Sequence, residues 1–464
     1  PMPMAGCHKS RGKYIVTGGF AVKIISSYKV QILPSNKLSF KGTIQIYRKA
    51  IAYLIDVYSK EWNVISAIAK KYDRFVFSEN LVHTTKGSKA KYDFDTVFYK
   101  MPSYLRRAAI NAALGAVSSY RSTLSLWELS HEGKKPTLQV DRNVMPVFYN
   151  GAMHTVDQET NTHYIKLYQH NDWVWVPLKL RQTDLRYLER YWSHVKASAP
   201  ILERRYNRWY LRFAFEEQQT LSDTSIQDQR ICAVDLGLNT DAVCSIMTAD
   251  GTVLQRKFID FPSDKDHLYH VLNRIKRRQR EHGYTSTHAL WLYARRLNNE
   301  LAIKVASAIT DFAVLHSAGV IVFEHLDFKS RKHKGNKAQK LSLWKRNSIQ
   351  DYVTHKAHRC GIRISRICAW GTSALAFDGS GSLSRDKHNH ALAVFASGKQ
   401  YNCDLSASYN IGARYFIREL AKPIPAKEWS DIAAKVPDVQ RRTSCTLSTL
   451  RALAAVLGLS SPAA

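Results

Sequence analysis

Three segments, far apart in the chain, each set one carboxylate into an apolar surrounding. They are Ile231-Cys-Ala-Val-Asp235-Leu-Gly-Leu-Asn-Thr240, Gly319-Val-Ile-Val-Phe-Glu324-His-Leu326 and Tyr401-Asn-Cys-Asp404-Leu-Ser-Ala-Ser-Tyr-Asn-Ile411. A carboxylate at the end of a buried strand costs free energy unless its charge is offset, and a divalent metal is the usual offset.

At 464 residues the chain is too long for one ordinary core, so two or three domains are expected. Lys and Arg number 68 against 38 Asp and Glu, a formal charge of +30 spread along the sequence. A polyanion is the expected partner. The cysteines (Cys7, Cys232, Cys244, Cys360, Cys368, Cys403, Cys445) include no C-x-x-C pair and are too sparse for a disulfide framework. No apolar run spans a bilayer and no signal-peptide pattern opens the chain, so a cytoplasmic protein is expected.

Strand-like pieces, Tyr14-Ile-Val-Thr17 and Ala21-Val-Lys-Ile-Ile25, precede a turn at Pro34-Ser-Asn36. Ile44, Tyr47, Ile51, Leu54, Tyr58, Trp62 and Ile65 recur every three or four residues and predict a long helix. A second helix is predicted after Pro102, with Leu105, Ala108, Ala109, Ala112, Ala113, Val117 and Tyr120 on one face. Residues 145–217 read as strands again, and the polar stretch Gln218–Gln229 reads as a linker. Beyond it, two strands are expected, Ile231–Met247 and Val253–Ile259, joined at Ala249-Asp-Gly-Thr252. A basic helix with Ser263 and Asp266 as a capping box follows. Then come a helix over 287–316, a buried strand Val320–Phe323, a helix-like segment opened by Asp404, and helical pieces such as Leu447–Leu457 in the tail.

Phosphodiester cleavage needs an activated water and neutralisation of the leaving oxygen. Two divalent ions about 3.5–4 Å apart supply both, and clustered carboxylates hold them. Mg²⁺ prefers hard oxygens and needs no His or Cys cage. A strand with Asp, helices, a strand with Glu, then a helix opened by Asp is an order that resembles the ribonuclease H arrangement. Singly, each acid has a structural use: Asp235 could cap its turn, Glu324 could pair with an Arg, and Asp404 could cap its helix.

At Val-Asp235-Leu-Gly-Leu-Asn-Thr, Val-Phe-Glu324-His-Leu and Asp404-Leu-Ser-Ala-Ser-Tyr-Asn410-Ile411-Gly-Ala-Arg414-Tyr the sequence resembles the three RuvC motifs of TnpB, the insertion-sequence nuclease, and of the compact type V CRISPR effectors. The resemblance implies an α/β and α+β multidomain chain. An RNase H-like (RuvC) nuclease domain would span 229–464, with basic helices over 264–316 and a cysteine-poor insert over 368–403. A β-barrel-like wedge domain (1–40 and 141–228) would carry a helical recognition insertion (41–140). It further implies an RNA-guided DNA endonuclease using two Mg²⁺, for which Mn²⁺ can substitute, held by Asp235, Glu324 and Asp404. The implied partners are a structured guide RNA and double-stranded DNA bearing a short adjacent motif; monomer and homodimer stay open. Two alternatives are a guide-independent RuvC-type nuclease or transposase, and an RNA-guided protein that binds without cutting.

The family's zinc ribbon, introduced by Thr-Ser and built from two C-x-x-C pairs, is missing. Thr372-Ser373 is followed by Ala376 and Gly379, and then by Ala396 and Lys399, where the pairs would lie. No structural zinc is expected. Cys368, Cys403, His388 and His390 fit no common zinc module.

Arg274, Lys276, Arg277, Arg278 and Arg280 crowd one helical stretch, a density that phosphates would relieve. Arg204, Arg205, Tyr206, Arg208 and Arg212 form a second basic cluster. Strand alternation through it places Arg204, Tyr206, Arg208, Tyr210 and Arg212 on one face and Trp209 and Leu211 inward. Arg414 joins the expected nucleic-acid contacts. Lys329–Lys340 reads as a basic loop near the scissile strand. Asp327 has a weak claim as a further acid, and His325, alternating away from Glu324, has none as a base.

Overall fold

The computed structural model describes residues 21–35, 38–85, 87, 89–157, 159–160, 162–283, 287–325, 345–386, 389 and 391–459. The strand piece at 14–17, Asp327, the loop Lys329–Lys340, and His388 and His390 lie outside the described residues. Residues 25–217 make one compact unit, and residues from 218 onward belong to a second. No helix among the described residues is long and apolar enough to cross a membrane.

The first unit contains β1 (Ala21–Ile32), α1 (Lys41–Lys60), α2 (Trp62–Ala67), α3 (Lys71–Asn80), α4 (Phe94–Val97), α5 (Ser103–Ser130), β2 (His154–Asp157), β3 (Thr162–Gln169), β4 (Asp172–Leu178), α6 (Gln182–Trp192), β5 (Ile201–Arg205) and β6 (Arg208–Thr220). The stripe Ile44, Tyr47, Ile51, Leu54 and Tyr58 buries one face of α1, and α5 starts behind Pro102. The strands form two three-stranded sheets, β1-β6-β5 and β2-β3-β4. Neither closes on itself among the described residues, and isolated bridges such as Ile32 to Leu180 join their margins. A helix covers the apolar side of one of them: Tyr168 N on β3 donates to Thr43 Oγ1 of α1 at 2.9 Å. Ile165 and Leu167 join the α1 stripe in one core.

The basic cluster at 204–212 is a hairpin, not a single strand. Tyr206 and Asn207 form its turn at φ of 48° and 60°, the left-handed pair that a two-residue connection needs. Arg204 therefore faces Trp209, and Arg205 faces Arg208. Arg204 stacks over the Trp209 ring at 5.4 Å, on the face of buried Leu202 and Leu211. Glu203, Arg205, Arg208, Tyr210 and Arg212 occupy the other face. The alternation expected from the sequence is broken because the turn reverses the chain.

The second unit contains β7 (Ile231–Asp235), β8 (Ala242–Met247), β9 (Val253–Ile259), α7 (Pro262–His282), α8 (His288–Leu315), β10 (Val320–His325), α9 (Arg346–Arg359), β11 (Arg363–Cys368), β12 (Ser384–Arg385), β13 (Leu392–Val394), β14 (Gln400–Asn402), α10 (Cys403–Ala421), α11 (Ala426–Lys435) and α12 (Leu447–Val456). Five strands make one sheet in the order β11-β10-β7-β8-β9. β7, β8 and β9 run antiparallel, while β10 lies parallel to β7 and β11 parallel to β10. The segment expected as one strand, Ile231–Met247, is thus two. The reversal sits at Leu236-Gly-Leu-Asn, where a Cβ on Gly237 would approach Thr240 O to 2.5 Å. α7 begins with Pro262 at its first turn and has no side-chain cap, so the expected Ser263 and Asp266 box is not made.

Alternation along the central strands sends Cys232, Val234, Ile321 and Phe323 into a core with α8 and α9. It sends Ile231, Ala233, Val320 and Val322 into a core with α10, α11 and α12. α10 approaches the sheet so closely that a Cβ on Gly412 would fall on Met247 Sδ and come within 3.2 Å of Ala233 Cβ. The insert before α10 folds as the small antiparallel sheet β12-β13-β14 over Ala376, Ala393, Phe395 and Cys403. Phe377 meets Phe395, Tyr401 and Tyr409 edge-on, with ring centroids 4.9–5.6 Å apart.

Candidate active site

Asp235 ends β7 one residue beyond Val234, and Glu324 follows Phe323 on β10, and Val234 and Phe323 are register partners. The two acids therefore stand near the C-terminal ends of neighbouring parallel strands. By period-two alternation Asp235 shares the face of Ile231 and Ala233, and Glu324 that of Val320 and Val322. Both faces point to α10, whose first turn carries Asp404. Sequence order alone separates these residues by up to 169 positions; the sheet and its covering helix bring their charges to bear on one another.

The capping role open to Asp404 is filled by another residue. Asn402, not Asp404, caps α10: its Oδ1 accepts from Leu405 N at 2.9 Å. Among the described residues no hydrogen bond reaches the Asp235 carboxylate. Glu324 accepts from the hydroxyl of Thr372.

Asp235 is 8% exposed. Burial, then the charges of Glu324 and Asp404, push its carboxyl well above the usual range, with Arg385 opposing. Burial also raises Glu324, against the Thr372 hydrogen bond and the charge of Arg414. It raises Asp404, again against Arg385. Three carboxylates in a poorly solvated setting that resists their ionisation form a donor set suited to a hard divalent cation. Among the described residues no group of three or more His, Cys, Asp or Glu side chains is already closed into a metal cage. The acids converge by register and by charge, and their side chains do not yet meet at one point.

Arg385, on β12, was not singled out in the sequence; no spacing marks it. Its guanidinium charge acts on both Asp235 and Asp404, and its Nη2 donates to Ser373 O at 3.4 Å. Arg414 belongs elsewhere than expected. It is 6% exposed, and its guanidinium donates to the carbonyls of Cys445, Cys368, Trp370 and Thr443 at 2.7–3.1 Å. All of its donor nitrogens are used on backbone, so it is a buried brace and not a phosphate contact.

Arg204, Arg205, Tyr206 and Arg208 are exposed and Arg212 is half-buried. On α7, Arg274, Arg277, Arg278 and Arg280 are exposed and Lys276 is half-buried, while Leu268, Val271 and Ile275 face inward. The sequence thus separates correctly the apolar and basic sides of this helix.

Residues 26–169 match the model of the Aq_aa04 family. Comparison with curated protein sequences finds no match. Among solved structures, CasPhi-2 (Cas12j) bound to crRNA and phosphorothioate DNA is similar at a TM-score of 0.52 and 10% identity, covering 86% of this chain and 91% of that one. CasPhi-2 bound to crRNA gives 0.49 at 8% identity, covering 85% and 97%. The Cas12f1–sgRNA–target DNA complex gives 0.48 at 17%, covering 80% and 81%. The first of these likenesses is one of fold: this mixed α/β, multidomain chain shares the fold of CasPhi-2.

Proposed function

We propose that the chain is an RNA-guided, Mg²⁺-dependent DNA endonuclease of the TnpB and compact type V kind. Its single RuvC site would comprise Asp235, Glu324 and Asp404. The observation that carries this reading is the placement of Asp235 and Glu324 at adjacent strand ends under the helix start that bears Asp404. The strand order β11-β10-β7-β8-β9, with β10 parallel to β7, supports a ribonuclease H-like reading of the second unit. The fold shared with CasPhi-2, which is bound to crRNA and DNA, supports nucleic-acid partners of the same kind. So does the charge of +30.

The three acids would hold two Mg²⁺, or Mn²⁺ in their place. Bound there, the metal supplies an activated water and neutralises the leaving oxygen. The chain's own residues do the rest. Asp235 is fixed by the buried strand behind it, Glu324 by Thr372, and Arg385 contributes positive charge beside Asp235 and Asp404. Exposed arginines on the β5–β6 turn and on α7 would take phosphates of a structured guide RNA and of double-stranded DNA carrying a short adjacent motif. The aromatic insert would stand without structural zinc.

The test is cleavage by protein purified with the RNA of its own locus. Wild type is expected to cut guide-complementary DNA in Mg²⁺, and Asp235→Ala to retain the RNA and cut nothing. Wild type that binds DNA without cutting, or that cuts branched DNA free of RNA, overturns the reading.

A further inference from the structure

The hydroxyl on Glu324 is tied into more of the fold than one contact. Thr372 Oγ1 lies against Glu324 Oε1 and 2.9 Å from Ala369 O. A hydroxyl has one proton to donate, and both neighbours accept. An ionised carboxylate is the stronger acceptor and takes it. Thr372 is 1% exposed, so solvent does not replace this contact.

The main chain beneath Thr372 is fixed from α10. Asn410 Nδ2 donates to Thr372 O at 3.1 Å and to Leu375 O at 2.9 Å, while its Oδ1 accepts from Leu447 N at 3.3 Å. One turn further along, Arg414 holds Cys368 O and Trp370 O. β11, which ends at Cys368, pairs Ile367 with Glu324 itself. The 368–375 segment is therefore tied at both ends to the helix that carries Asp404, and through Thr372 to Glu324. Asn suits position 410 because one side chain must donate twice and accept once. Arg suits 414 because it must donate to four carbonyls.

We propose that Thr372 is a positioning residue of the metal site. Its hydroxyl holds Glu324 Oε1, and among the described residues no hydrogen bond reaches Oε2, the oxygen left to a cation. Asn410 and Arg414 act through it, by fixing the loop on which it stands. The inference rests on the reading of Asp235, Glu324 and Asp404 as a divalent-cation site.

The test is Mn²⁺ binding to the full chain, followed by electron paramagnetic resonance. Thr372→Val keeps the volume and removes the proton; it is expected to weaken Mn²⁺ binding by roughly 10- to 100-fold with an unchanged Tm, the usual cost of losing such a partner, and Thr372→Ser to stay within about twofold of wild type. Thr372→Val that binds as tightly as wild type overturns the proposal. Thr372→Ser that falls with Thr372→Val overturns it too, since the methyl group would then be what matters. Asp235→Ala separates the two ideas: tight Mn²⁺ binding by that variant overturns the site itself. In wild type, hydrogen exchange at residues 369–374 is expected to slow when Mn²⁺ is added. Unchanged exchange contradicts the coupling whether or not the variants fold.

Discussion

Asp235 and Glu324 each stand one position beyond the paired Val234 and Phe323 on neighbouring parallel strands, so two carboxylates occupy adjacent places on the α10 face of the sheet. A fold seldom sets two acids in such surroundings for stability. Their mutual repulsion works against the folded chain.

Neutralising one of them should therefore stabilise the metal-free protein. Asp235→Asn removes a charge that burial, Glu324 and Asp404 all disfavour. Thermal unfolding without divalent metal is expected to gain about 1–2 kcal/mol, roughly 2–4 °C in Tm per kcal/mol, while cleavage is lost. A variant less stable than wild type would show that Asp235 is held by a stabilising partner.

Arg414 and the arginines of α7 should separate cleanly. Arg414→Ala strips donors from four backbone carbonyls and is expected to cost on the order of 2–4 kcal/mol in urea unfolding. Arg277→Ala or Arg278→Ala should leave stability within about 0.5 kcal/mol of wild type and lower the salt slope of nucleic-acid binding by about one. A salt slope unmoved by the α7 variants would remove that helix from the interface.

The first unit should be acid-sensitive through a histidine pair. His154 Nδ1 lies 3.0 Å from Asn150 Oδ1, and its Nε2 lies 3.1 Å from His163 Nδ1. With both rings neutral, His154 donates to Asn150 and accepts from His163. Burial, then the neighbouring ring, hold His154 down to about 4 against 6.5, and burial lowers His163 as well. The unfolded chain takes up its proton near 6.5 and the folded chain only near 4. Stability from His154 is thus complete above 6.5 and is lost as the pH falls toward 4, by on the order of 3 kcal/mol. Urea unfolding across this range should show the loss, and His154→Gln should flatten it. A wild type indifferent to pH there would contradict the pairing.

The insert, proposed to fold without zinc, gives a fourth expectation. Aromatic packing around Phe377, with Asp378 accepting from Ser380 Oγ and Ser397 Oγ at 2.7 Å each, holds the turns that a ribbon would tie through metal. Metal analysis of purified protein is expected to show well under one equivalent of zinc, and Phe377→Ala to loosen the insert in hydrogen exchange. Stoichiometric zinc would contradict this account of the insert.

Much of this was legible in the sequence because period and burial agree. The stripe from Ile44 to Tyr58 and the small-residue face after Pro102 name their own helices, and apolar runs mark β7 and β10. What was hidden depends on backbone turns and on partners distant in sequence. Leu236 and Leu238 prolong the apolar run, so only the approach of Gly237 to Thr240 reveals that β7 stops at Asp235. Tyr206 and Asn207 turn left-handed without a glycine to announce it. Arg414 reads as a surface cation because nothing local shows the four carbonyls that surround it, and the roles of Thr372 and Arg385 exist only once β11 and the insert are in place.

The most direct test is anomalous diffraction from crystals of the protein grown with its guide RNA and target DNA in Mn²⁺. The account predicts manganese peaks bounded by Asp235, Glu324 and Asp404, absent in Asp235→Ala. Manganese bound elsewhere, with those three carboxylates bare in a complex that cuts DNA, would contradict it.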